Sequence, residues 1–77
     1  DIVVANILAD VLRAYAAVIA GAVRAPDGRL ILSGLLTSQY DGLRAVYESL
    51  GFAEERRVAI NEWTSGLFRR RGAFGLG

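Results

Sequence analysis

A β-branched run, Ile2-Val3-Val4, passes through Ala5 into an asparagine, Asn6, and from there almost directly into a sequence of helical period. Three consecutive strand formers leave no alternation between a wet and a dry face, the pattern of a parallel strand covered by helices on both sides. In open α/β sheets the crevice outside the carboxyl ends of the strands is where ligands bind, and a small amide at the end of a first strand points there. Asn6 is therefore the leading candidate for a functional side chain, and this one junction restricts the chain to an α/β architecture.

The period changes after Leu8. Val11, Leu12, Tyr15, Val18, Ile19, Ala22 and Val23 recur at three- and four-residue spacing, which predicts a helix from about Asp10 to Arg24 with those side chains on its apolar side. Asp10 complements the positive end of the helix and Arg24 the negative end. Ala25-Pro26-Asp27-Gly28 then supplies a turn, and Arg29 to Ser33 a second buried strand that ends in Ser33-Gly34. Strand, helix and strand make a crossover unit whose two strands run parallel, so Asn6 and Ser33-Gly34 emerge at one edge of the sheet. Leu35 and Leu36 bridge to a second helix capped by Thr37 or Ser38, with Tyr40, Leu43, Val46, Tyr47 and Leu50 as its apolar stripe and Gly51 at its end. Phe52 to Ile60 is a third strand, with charges suited to a sheet margin. A turn at Asn61-Glu62 and a fourth strand from Trp63 to Arg69 complete an antiparallel hairpin. Trp63, Phe52 and Tyr47 are assigned to the core, and residues 71–77 to a loose tail.

Several functional classes are excluded by composition. Cysteine and histidine are both absent from the 77 residues, which removes disulfides, thiolate nucleophiles, imidazole bases and the usual zinc ligands, and no metal site is expected. Nine basic residues, all arginine, nearly balance eight acidic ones, so net charge selects no polyanion and nucleic acid is not an expected partner. The cluster Arg69-Arg70-Arg71 is read as a solvated strand end. The apolar stretch from Ile2 to Val23 is interrupted by Asn6, Asp10 and Arg13, whereas a membrane span needs roughly 20 largely uncharged apolar residues. No membrane association is expected. A chain of this size buries only about 60% of its unfolded surface, and one that starts on a strand without an initiator methionine reads as a piece of something longer.

The segments Asp1-Ile-Val-Val-Ala-Asn-Ile-Leu8, Gly28-Arg-Leu-Ile-Leu-Ser-Gly-Leu-Leu36, Gly51-Phe52 and the late Trp63, in that order and spacing, resemble the bacterial methyltransferases that modify ribosomal protein eleven of the large subunit. The likeness covers about residues 1 to 70. It implies the carboxyl-terminal half of a class I S-adenosylmethionine-dependent methyltransferase domain: an α/β, Rossmann-like half-sheet in the order strand-helix-strand-helix-strand-strand, working in the cytoplasm on a ribosomal protein. The glycine-rich loop and the acidic residue that hold the cofactor in this family are not among these residues. The terminal Gly72-Ala-Phe-Gly-Leu-Gly77 follows arginines and opens no helix, so it does not replace that loop. A segment of this kind is expected to be inactive alone.

Transfer of a methyl group from a sulfonium is an in-line displacement, so the protein must hold a neutral amine lone pair about 3 Å from the methyl carbon. Asn6 suits that task. Its carbonyl orients an amine N–H without the charge that would favour the unreactive ammonium, and the Ile7 or Leu8 carbonyl can accept a second hydrogen. The resemblance thus implies Asn6 as the catalytic residue, Asn6 and Ile7 at the cofactor, and Leu8, Ser33 and Gly34 lining the substrate crevice. Related amino-group methyltransferases carry Asn-Pro-Pro-aromatic here; this chain has Asn-Ile-Leu, so an aromatic wall must come from elsewhere. The competing reading is a non-catalytic α/β interaction or assembly module. In either case the first strand has an open edge, and self-association through that edge is expected of the isolated chain.

Overall fold

Strands β1 (Ile2–Ala5) and β2 (Arg29–Leu36) run parallel, with Val3 opposite Leu30 and Ala5 opposite Leu32, in a computed structural model that describes residues 2–23 and 28–71. Between them lie α1 (Ala9–Ala14) and α2 (Ala16–Ala22), and after them come α3 (Thr37–Ser49), β3 (Phe52–Ile60) and β4 (Trp63–Arg70). The sheet order is β1-β2-β4-β3, with β4 antiparallel to both neighbours. The expected α/β plan and the closing hairpin are both present. The hairpin turns at Asn61-Glu62, where Asn61 adopts φ 57°, a left-handed conformation that asparagine tolerates. Gly51, at φ 99°, follows the end of α3 as anticipated.

One face of the sheet carries the core. Ala5, Leu30, Leu32, Leu35, Phe52 and Phe68 pack against Leu12, Ala16, Ala20, Val23, Tyr40, Leu43 and Tyr47 from the helices. The opposite face is uncovered among the described residues: Ile2 is 66% and Val4 62% exposed, and Val58 is half exposed. β1 is therefore covered on one side, not on both. The β-branched run reports a strand, but how many layers cover it depends on what else is available to pack there.

The single helix predicted over Asp10 to Arg24 is two helices that meet at Tyr15, whose φ −110° and ψ 25° interrupt the spiral. Its buried side chains are Leu12, Ala16, Ala20 and Val23, whereas Tyr15 and Val18 face outward. Two apolar stripes lie side by side on this segment. The one with alanines turns inward because small side chains allow the helix to approach α3 and the sheet closely. Leu12 lies in the last turn of α1, where backbone carbonyls lack intrahelical donors. The buried Tyr47 hydroxyl donates to the Leu12 carbonyl at 2.9 Å, and burial pushes the Tyr47 pKa up. Arg24 and the predicted turn residues 25–27 lie outside the described residues, as does the tail from 72 onward.

Further differences concern element ends. β2 does not stop at Ser33; it kinks through a register shift between Leu32 and Leu35, with Gly34 at φ 74°, and continues to Leu36. Thr37 is the first residue of α3 and not its cap. Leu36 precedes the helix and its N–H donates to Gln39 Oε1 at 3.3 Å. The Thr37 hydroxyl instead meets that of the buried Thr64 at 2.7 Å, and the Thr37 N–H donates to the Glu62 carbonyl at 2.8 Å.

The arginine cluster is not a solvated strand end. Arg70 donates to the carbonyls of Val23 and Ala20 at the end of α2 and lies over the Phe52 ring. Arg71 donates to the Glu48 carbonyl near the end of α3, and Arg69 to the Glu55 carboxylate. Guanidiniums suit helix carboxyl ends because the last carbonyls lack donors and carry partial negative charge. Beneath α3, the Tyr40 hydroxyl donates to Glu54, which also accepts from Arg57 at 3.0 Å. Gly66 is buried under Tyr40, where a Cβ would overlap the phenol.

Candidate functional site

Asn6 leaves β1 just beyond the Ala5–Leu32 pair and is exposed at the carboxyl end of the sheet. Its Oδ1 lies over Gly34, so close that a Cβ at position 34 would come within 2.6 Å of it. The kink of β2 creates that space. The positive φ of Gly34 is the second reason for glycine, because a side chain is strained in that conformation as well as obstructed.

A cavity of about 440 Å³ opens beside this contact. It is lined by Asn6, Ile7, Leu8 and the start of α1, including Asp10, together with Gly34, Leu36, Gln39 and Trp63. Of the residues expected at the site, Asn6, Ile7, Leu8 and Gly34 are brought together around this cavity, while Ser33 is not among its lining residues. Leu8 is 76% exposed, which leaves it free to meet a ligand or another surface.

Trp63 is a residue that the sequence reading misassigned. It is half exposed and lines the cavity instead of entering the core. Strand alternation explains this. Thr64, Gly66 and Phe68 point into the helix layer, so Trp63, the first residue of β4 and paired with Leu36, cannot. Its place is fixed from both sides: Thr37 bonds the Glu62 carbonyl before it and the Thr64 hydroxyl after it. Counting parity backward from Phe68 was the available signal.

The groups whose pKa values are displaced lie elsewhere. Tyr40 is raised by burial and by its bond to Glu54. Burial alone would raise Glu54 as well, but hydrogen bonds from Arg57 and Tyr40 bring it below the ordinary carboxylate range. Neither lines the cavity, where a carboxamide pair, apolar side chains and an indole dominate, with Asp10 as the charged member. Such a lining positions a ligand through hydrogen bonds and contact. Among the described residues no cluster of three metal-ligating side chains occurs, and no helix is long and apolar enough to cross a membrane.

A parallel β1–β2 pair with a helical crossover and a crevice at its carboxyl end defines a Rossmann-like α/β arrangement. The model of the family "Ribosomal protein L11 methyltransferase (PrmA)" matches residues 1–71, and the chain belongs to that family. It is 44% identical over 72 residues to the ribosomal protein L11 methyltransferase of Bradyrhizobium diazoefficiens and 46% identical over 72 residues to that of Alkalilimnicola ehrlichii. These matches take in 94% of this chain but 24% of either relative, so the chain spans about a quarter of their length. A crystal structure of a ribosomal protein L11 methylase from Lactobacillus delbrueckii subsp. bulgaricus superposes with a TM-score of 0.75, at 22% identity, over 91% of this chain and 36% of that one. The shared fold includes the four-stranded sheet and its helices.

Proposed function

We propose that residues 1–70 are the carboxyl-terminal half of a methyltransferase catalytic domain that moves methyl groups from S-adenosylmethionine to amino groups of ribosomal protein L11 in the cytoplasm, and that this half is inactive without the rest. The observation that carries the reading is the exposed Asn6 carboxamide, seated over Gly34 at the mouth of a cavity at the carboxyl edge of the sheet. That cavity fits an alkylamine arm, with Trp63 as a flat apolar side for its stem. The described residues offer the amine side of the reaction. They contain no glycine-rich helix-opening loop, so cofactor binding draws on Asn6 and Ile7 only as contributors.

S-adenosylmethionine, when bound, supplies the electrophilic methyl carbon. Asn6 Oδ1 accepts one N–H of the incoming amine, and the Ile7 or Leu8 carbonyl accepts another, which aims the nitrogen lone pair. Being uncharged, the carboxamide does not stabilise the ammonium form over the nucleophilic amine. Gly34 keeps the carboxamide in place by leaving room for it.

In the full-length protein carrying this segment, Asn6→Ala should lower kcat at least about a hundredfold with little change in melting temperature, because the side chain is exposed and orientation contributes several kcal/mol to such a transfer. Wild-type turnover in that variant rejects the catalytic role. For the isolated segment we propose self-association through the β1 edge, beside the exposed Ile2 and Val4. Sedimentation equilibrium should give a mass that rises with concentration, and a constant monomer mass removes that idea.

A further inference from the structure

Gln39 lines the same cavity as Asn6, from the first turn of α3. We propose that Gln39 is a positioning residue that donates to a main-chain carbonyl of the polypeptide whose amino group Asn6 holds, an assignment that rests on the methyltransferase reading above. The orientation of its carboxamide is set internally: Oε1 accepts the Leu36 N–H at 3.3 Å. With the oxygen end engaged, the NH2 end is the one left to bind. Among the described residues that NH2 group has no acceptor.

The two carboxamides thus have complementary duties at one cavity. Asn6 supplies an acceptor suited to an amine N–H, and Gln39 supplies donors suited to a carbonyl oxygen. A polypeptide carries both an amine and main-chain carbonyls, whereas a free amine carries only the first. Trp63 lines the same cavity as Gln39, and both are held through the start of α3. The Thr37 N–H and hydroxyl clamp the residues on either side of Trp63, and the Leu36 N–H holds Gln39. A rigid mount of this kind is what a positioning group requires, since small displacements spoil alignment.

The plainer role for Gln39 is a helix cap, and one substitution separates the two. Gln39→Glu keeps an oxygen for the Leu36 N–H and adds a carboxylate favourable at a helix start, but removes both side-chain donors. In the full-length methyltransferase we expect Gln39→Glu to melt at the wild-type temperature while KM for the polypeptide rises about tenfold, the scale of one lost hydrogen bond. Its kcat should stay within about twofold, as for an interaction equally present before and during the reaction. Gln39→Ala should show the same rise in KM together with a lower melting temperature, having lost donor and cap. If KM rises only in Gln39→Ala, or falls or stays level in Gln39→Glu, the residue is a cap and the proposal is overturned. Asn6→Ala measured in parallel keeps the failures apart: an inert Asn6→Ala rejects the methyltransferase site itself, whereas an inactive Asn6→Ala with an unaltered Gln39→Glu rejects only the role of Gln39.

Discussion

Where β2 begins and β4 finishes, three successive arginines bond to groups of other elements: Arg69 to Glu55 of β3, Arg70 to the Ala20 and Val23 carbonyls at the end of α2, and Arg71 to the Glu48 carbonyl of α3. At the opposite end of the sheet, just past β1, the side chain of Asn6 makes no hydrogen bond to another described residue and stands exposed above a glycine. The first end fastens helices to sheet. The second leaves polar capacity unused, and unused capacity beside a cavity is where a ligand gains its contacts. What is rigid at the site is its frame, the start of α3 and Trp63, while the groups offered to a ligand come from loops and element ends.

Two alanine substitutions test this contrast most strongly. Gly66→Ala drives a methyl group into the Tyr40 phenol and toward Phe68 in the buried layer, and overpacking of this sort costs roughly 3 kcal/mol. Thermal or urea unfolding should register that loss in full. Gly34→Ala meets the Asn6 carboxamide and a positive φ, with a penalty of about 1–2 kcal/mol for the backbone conformation, but its larger effect should be on methyl transfer, because the carboxamide must move. If Gly34→Ala keeps full activity, or Gly66→Ala unfolds no more easily than wild type, the division between a packed layer and an open site is wrong.

A smaller effect sharpens the description of the fastened end. Arg57 and Tyr40 hold Glu54 below the usual carboxylate range in spite of desolvation. A depressed folded-state pKa stabilises the protein above the unfolded value, 4.5, and that contribution disappears as pH falls through the folded value. Glu54→Gln should therefore be less stable than wild type at pH 7, and the gap should close in acid, below about pH 4.5. A gap that persists unchanged at low pH assigns the stabilisation to packing. At the alkaline extreme Tyr40 works in the opposite sense: its raised pKa favours the neutral phenol in the fold, so stability declines once pH passes 10.0.

Much of this arrangement was legible in the chain. The β-branched run before Asn6, the change to helical period, Gly51 and the Asn61-Glu62 turn located the strands and the hairpin, because each is a local signal tied to backbone geometry. The crossover argument brought Asn6 and Gly34 to one edge without any knowledge of contacts. The facing of the helical segment between β1 and β2 is legible only in part: Leu12 and Val23 are buried and Ile19 packs against the core as expected, but Ala16 and Ala20 are buried in place of Tyr15 and Val18, because close approach to α3 and the sheet favours the small side chains. Trp63 was misassigned for a similar reason: hydrophobicity says that a side chain prefers to be dry, not that a dry place exists on its side of the strand. The roles of Arg70 and Arg71 were invisible, because their acceptors are carbonyls 50 and 23 residues away in sequence.

By itself, then, the order of residues determined the elements, the parallel pairing of β1 and β2, and the edge at which an asparagine meets a glycine; all of these follow from local conformational preference and chain connectivity. Tertiary structure decided which face of each helix is dry, that helices cover only one side of the described sheet, and that Gln39 and Trp63 share a cavity with Asn6. Those facts depend on distances between residues far apart along the chain, and only simultaneous packing of all the elements fixes them.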